Sequence, residues 1–426
     1  MTRRPKIAPT AALSIFAQRS CAIGSAVAIA VLLGCVPTPP PARNLPHAAP
    51  PPLPPAPQAA HPLTGDQSGF LRLGNIPREE TPVRVGVLLP FSNGSAATRA
   101  LAASLMKAAE LALFDSKKRD LILISSDEGS DGVEAAAGAR TLLAEGAEII
   151  IGPLFAQSVS AVAPITRDRG VPLISFSTDR AVAGGGVYLL SFLPANEVKR
   201  IVSYAAQRGH SGFAAMIPRT AYGARVAEAF RDTVRSTGGR TLDAESFLPE
   251  TGDIAAPALK VAQSKPDAIL IAQGGVLLRD IASALAADGA GSHQVQFLGT
   301  GLWDDPATSE EPSLAGGWFA APDPEAERSF DAKYRAAFGS NPPALSTLAY
   351  DAVSLVALLS SGPPYHRFTR GALMDANGFS GVDGIFRFNP DGTSERGLAI
   401  LSIEHDGGFV TIDPAPITFQ GSAPAG

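Results

Sequence analysis

The feature that most constrains this chain is an alternation between short, almost wholly apolar runs and longer segments with helical spacing. VRVGVLLP (83–90), LILISS (121–126), EIIIG (148–152) and VPLISFS (171–177) are apolar at nearly every position. A strand with one face in water alternates polar and apolar residues, so runs like these read as strands buried on both faces. Between them lie residues 95–116, where Leu101, Leu105, Ala108, Ala109, Ala112 and Leu113 recur at helical spacing, and the Ala-rich segments 132–144 and 156–169. Strand, helix, strand, helix predicts a parallel sheet covered by helices on both faces. The pattern then restarts, with strands expected at 213–218, 242–248, 267–272 and 295–299 and helices at 221–236, 255–264 and 277–287. The expected fold is therefore α/β, two doubly wound parallel-sheet lobes around a cleft. Ligands in such sheets sit beyond the carboxyl ends of the strands.

Two further helices are predicted at 325–338 and 345–359. GIFRF (384–388) and residues 398–404 read as a hairpin about NPDGTSERG. The chain is expected to cross between lobes more than once. The expected division gives the first lobe residues 83–195 and 317–384, the second lobe 196–316 and 385–414, and leaves 415–426 as a tail.

Ahead of this body the composition changes. Arg3, Arg4, Lys6 and Arg19 precede an uncharged run, 22–33, about as long as an export signal's apolar region and too short to span a bilayer. It ends in LLGC at Cys35. From 36 to 64 there are 12 prolines with almost no core-forming residue. Such a segment cannot order itself by burial and is biased to polyproline II. Residues 35–82 are thus expected to be a disordered Pro/Ala-rich tether reaching about 100–140 Å if mostly extended. Both cysteines, Cys21 and Cys35, precede the folded body, so no disulfide, four-cysteine zinc site or cysteine nucleophile is expected within it. A net charge of −5 with only 18% charged residues argues against nucleic-acid binding. The six histidines form no metal-like pair on one helix, and no phosphate-loop, dinucleotide or nucleophile-elbow motif is present. Neither a cofactor nor a metal is predicted, and an enzyme is the least favoured class.

Three stretches carry a family resemblance: VRVGVLLPFSN, GAEIIIGPLFAQSVSAVAPITRDRGVPLISFSTD, and the pair SLAGGWFAAPDP and LSTLAYDAVSLVALL. Over about residues 83–412 the chain resembles the type 1 periplasmic binding proteins of the leucine/isoleucine/valine class. LLPFS, IGPLFAQSV, FSTD and GTGLWDDP look most like the penicillin-binding protein activator lipoproteins of that fold. The LLGC segment resembles a bacterial lipobox, which implies removal of residues 1–34 and a lipid anchor on Cys35. Val36 stands where an Asp would signal inner-membrane retention, so the implied location is the periplasmic face of the outer membrane.

The resemblance also implies site residues. Ser158, with Gln157 beside it, matches the serine that holds a ligand carboxylate. Ser177 and Thr178 match a polar strand-end pair, and Tyr222-Gly223 a ligand-capping tyrosine. Asp304 or Asp305 stands near the acidic residue that pairs with a ligand ammonium. Independently, a helix N-terminus at Ser158 offers free N–H groups to an anion. Two readings follow. One is an activator of peptidoglycan synthases, favoured by the long tether. The other is a solute-binding protein that presents an amino-acid-like ligand to an ABC permease. In both, the membrane is met only through the anchor.

Overall fold

The computed structural model describes residues 70–74, 81–364 and 366–419. The expected signal segment, Cys35 and most of the tether lie outside the described residues. The first sheet contains β1 (Phe70–Arg72), β2 (Val83–Leu89), β3 (Leu121–Asp127), β4 (Ile149–Ile151), β5 (Leu173–Ser175) and β6 (Val187–Leu189), in the order β1-β3-β2-β4-β5-β6. All pair in parallel except β1, which runs antiparallel to β3. Strand β1 corrects the expected tether, because part of residues 35–82 is here a paired edge strand with Leu71 packed on the core.

Helices α1 (Ala96–Ser116), α2 (Gly132–Ala144) and α3 (Ala156–Asp168) connect these strands. Successive side chains of a strand point to opposite faces. On β2, Val83, Val85, Val87 and Leu89 pack with Leu105, Ala109 and Leu113 of α1, whereas Leu88 packs with Leu142 and Val159 on the α2–α3 side. That two-sided burial is why the run reads as continuously apolar.

The chain crosses at 190–193 into the second lobe. There α4 (Pro194–Gln207), α5 (Ala221–Ser236), α6 (Ala255–Gln263), α7 (Gly275–Ala287) and the single turn α8 (Pro306–Ser309) accompany β7 (Gly212–Pro218), β8 (Arg240–Phe247), β9 (Ala268–Ile271), β10 (Gln296–Gly299) and β11 (Trp318–Ala321). A second crossing leads to α9 (Pro324–Phe338), α10 (Ser346–Leu359) and the single turn α11 (Arg370–Leu373). Helices α9 and α10 return to the first lobe, burying Phe330, Tyr334, Val353 and Val356 in the core that contains β2. A third, small antiparallel sheet follows, made of β12 (Phe379–Gly381), β13 (Gly384–Phe388) and β14 (Ser394–Arg396). The last crossing, at Gly397-Leu398, delivers β15 (Ala399–Ile403) and β16 (Phe409–Asp413) to the second sheet, whose order is β16-β15-β11-β10-β9-β7-β8.

Both parallel cores share one topology: the lobe's first parallel strand lies between its second and third. The order of connection therefore reverses beside β2 in one lobe and β7 in the other, where an open α/β sheet has its ligand crevice.

Two expectations about the lobes are corrected. Trp318–Ala321 does not return to the first lobe, because it pairs in parallel with β10 (Leu298 with Trp318). Gly384–Phe388 does not pair with the 398–404 strand. The turn after β13 closes within five residues, Asn389 N–H donating to Thr393 O at 2.8 Å, so β14 takes the pairing, and Phe386 and Phe388 enter the first-lobe core. β15 then pairs with β11. The expected tail is corrected in part too, since its residues through Phe419 are described and Ala415 and Phe419 pack against the body.

Candidate functional site: the carboxyl edges of the two sheets

The strand ends of the two lobes face each other. Asp179, just beyond β5, accepts an ion pair from Arg225 in the first turns of α5, at 3.1 Å. Beside that contact, a cavity of about 200 Å³ is lined by Thr178 and Arg180 from the first lobe and by Leu193, Lys199 and Arg225 from the second.

On the first-lobe side, β4 is followed by Gly152, where a Cβ would lie 2.0 Å from Leu88 O. No other residue permits that approach of two strands at the crevice. Helix α3 then begins, and its N-cap, Phe155, brings no side-chain acceptor to the first turn. Just before it, the fully buried Glu128 accepts the N–H groups of Leu154 (2.8 Å) and Phe155 (3.0 Å). Burial pushes Glu128 above the usual carboxylate range, countered by these donors and by the Ser158 hydroxyl.

Ser158 is thus buried and turned to Glu128. Gln157 is exposed and lines a groove with Asp131, Gly132 and Val133 that is made wholly of first-lobe residues. Ser177 is buried and its hydroxyl accepts the N–H of Asp179 at 3.1 Å. Thr178 is exposed and lines the cavity between the lobes. Of the expected first-lobe residues, the structure brings Thr178 to the second lobe.

On the second-lobe side, Tyr222 follows β7. The next residue must be glycine, because a Cβ on Gly223 would lie 1.8 Å from Pro218 O. The Tyr222 hydroxyl is 2.8 Å from the Thr300 hydroxyl beyond β10. Next to this pair is a residue that sequence reasoning missed. Glu197, in the first turn of α4, is 9% exposed and accepts the N–H of Gly301 at 3.1 Å. Burial raises its carboxyl to about 7, and its charge helps burial raise Tyr222. No cation is paired with it among the described residues. A signal did exist: Glu197 stands on the buried stripe of α4 with Pro194, Val198, Ile201 and Val202. A carboxylate on an apolar stripe is costly unless it has work to do.

Asp304 lies at the end of a helical turn, Gly301–Trp303, and is exposed at the rim. Partial burial and Asp305 raise its carboxyl. Its charge contributes, after burial, to raising Glu327 to about 8 and Asp383 to about 7 across in the first lobe. Trp303 is core, its indole N–H donating to Ile271 O and Gln273 O. Apolar side chains also stand exposed at these edges: Phe155, Leu302 and Val276. Among the described residues no group of His, Cys, Asp and Glu fits a metal, and no helix is long and apolar enough to cross a membrane.

Comparison with known proteins agrees with this architecture. A family model described as periplasmic binding protein matches residues 82–408. The chain is 21% identical to the crystal structure of a putative branched-chain amino acid ABC transporter from Rhodospirillum rubrum, with a TM-score of 0.70 over 78% of this chain and 100% of that one. A solute-binding protein of R. palustris, solved with benzoate, gives 18% identity and a TM-score of 0.55 over 79% and 97%. An uncharacterized protein of Rickettsia prowazekii is 23% identical over 155 residues, 36% of this chain and 40% of that relative's length. The breadth of the family match and the two lobes built on one topology lead to one conclusion: the chain belongs to the periplasmic binding protein family, with the type 1 fold of its leucine-binding class.

Proposed function

We propose that the cleft binds a small ligand with an apolar body and a positively charged group, an amino acid rather than a simple carboxylic acid. The observation that carries this is Glu197: a carboxylate nine-tenths buried at the carboxyl edge of the second sheet, with one hydrogen bond and no paired cation among the described residues. A buried charge with that little compensation is retained where a partner arrives from outside. The uncapped first turn of α3 offers N–H groups to the ligand's carboxylate, and Phe155, Leu302 and Val276 offer apolar contact. The structural relatives include one associated with branched-chain amino acids and one bound to benzoate. Glu197 favours the former. Calorimetry with leucine, its α-keto acid and benzoate tests this reading. Leucine is expected to bind and the two acids to bind at least about tenfold more weakly, the equivalent of 1.4 kcal/mol. Equal binding of all three sinks it.

A second reading concerns what the bound form does. The proline-rich segment after Cys35 supports a lipid-anchored protein that works far from its membrane, at the periplasmic face of the outer membrane, as an activator of peptidoglycan synthases would. A receptor handing a ligand to an ABC permease needs no such reach. Both roles are non-catalytic. Synthase stimulation by the purified chain supports activation, whereas ligand uptake that depends on the chain and a permease supports transport. Loss of lipid labelling on Cys35→Ser tests the anchor.

A further inference from the structure

The residues after β16 link the lobes as the three crossings do. β16 ends at Asp413 on the edge of the second sheet, and Arg200 of α4 fixes that end. One guanidinium nitrogen donates to the Asp413 carboxylate at 2.5 Å and to Pro414 O at 3.4 Å, and Nε donates to Leu398 O at 2.8 Å. Ala415 packs against the second-lobe core. The chain then passes over the third crossing, where a Cβ on Gly397 would lie 3.0 Å from Pro416 Cγ and 3.1 Å from Pro416 O.

Phe419 lies on the third sheet, which is part of the first lobe. The Phe419 ring centroid lies 4.5 Å from the Arg387 guanidinium carbon. The same ring covers Gly378 so closely that a Cβ there would be 2.8 Å from it. Arg387 is paired with Glu395 at 2.7 Å, and Glu395 with Lys199 at 3.3 Å, the residue beside Arg200 on α4. One helix of the second lobe and one sheet of the first therefore hold the two ends of a six-residue segment. Pro414 and Pro416 restrict its backbone.

We propose that residues 414–419 are a strap across the hinge that limits how far the lobes open. Rotation about the crossings carries β16 away from β13, which must stretch the strap or peel Phe419 from Arg387 and Gly378. The proposal rests on the lobes moving, as the ligand-binding reading requires, but not on which ligand moves them.

Electron–electron distance measurements on the full chain test it. Spin labels are placed at two exposed positions, Glu145→Cys in the first lobe and Asp288→Cys in the second, with Cys21→Ser and Cys35→Ser removing the native thiols. Ending the chain after Asp413 is expected to shift the ligand-free distance distribution to longer values and widen it. The double variant Pro414→Gly, Pro416→Gly keeps both anchors and is expected to widen the distribution without a comparable shift, so the test survives if the truncated chain folds poorly. Distributions that superpose on the parent's in both variants overturn the strap. Adding leucine to the parent separates the two readings. If leucine changes nothing while truncation still lengthens the distance, the strap stands and the amino-acid reading fails.

Discussion

Glu197→Gln removes a buried charge while leaving its shape, and the consequence can be worked out from the site. The wild-type carboxyl is lifted from 4.5 to about 7, chiefly by burial, against the single Gly301 donor. The folded state therefore holds the proton more tightly than the unfolded chain. The stability this proton contributes is complete below the unfolded value, 4.5, and is lost as pH rises through about 7. Between about pH 5 and pH 8, the wild type should lose roughly 2–3 kcal/mol through this group alone, at 1.36 kcal/mol per tenfold change in proton affinity. Glutamine does not titrate, and its amide oxygen can still accept the Gly301 N–H. Asp383 and Glu327 are raised to about 7 and about 8 and titrate in the same window, so the wild-type slope alone is not diagnostic. The informative quantity is variant minus wild type, from urea unfolding at both pH values. It should rise by roughly 2–3 kcal/mol from the acid to the alkaline condition. A saturating amine-bearing ligand should restore the wild type's stability at the alkaline condition and leave the variant little changed. A difference flat to within about 0.5 kcal/mol across the range refutes the burial argument, and with it the observation on which the ligand class rests.

Glu128→Ala removes the buried acceptor of the Leu154 and Phe155 N–H groups and leaves a void in its place. A loss of about 3 kcal/mol in unfolding free energy is expected, with hydrogen exchange rising at the start of α3. Gly223→Ala drives a methyl into Pro218 O and should cost about 2–3 kcal/mol by thermal or urea unfolding, together with leucine affinity, because Tyr222 moves with the turn. Asp179→Ala breaks the ion pair between the lobes. Both partners are about a third exposed, so unfolding free energy should change by less than about 1 kcal/mol, and any effect on leucine affinity should shrink as salt rises.

What could be read from the sequence follows from what local pattern encodes. The parallel strands were legible because burial on both faces leaves a continuous apolar run, and the lobes because that pattern restarts. The pairing of β13 was not, because GIFRF fits any half-buried edge, and its partner is decided by a turn that closes after Asn389. Nor was β1, a three-residue strand that follows a proline-rich stretch, whose pairing with β3 is set by contacts 50–54 positions away.

The same limit acts more sharply in the site. Strand-end reasoning pointed to the edges that face each other across the lobes, yet neighbouring residues on a helix diverge by about 100°. Gln157 and Ser158 accordingly face different ways: one lines the groove beside α2 and the other turns to Glu128. Resemblance transfers a position along the chain, whereas a binding residue also needs a direction, and at the first turn of a helix one position's shift reverses inside and outside. Glu197 shows the converse. No motif marks it, but its place on the buried stripe of α4 is a physical anomaly that becomes visible once the helix is known. In a fold that hosts many ligands, such departures from local consistency are better guides to specificity than the shared motifs, because the shared motifs build the lobes and the departures are what each chain adds to them.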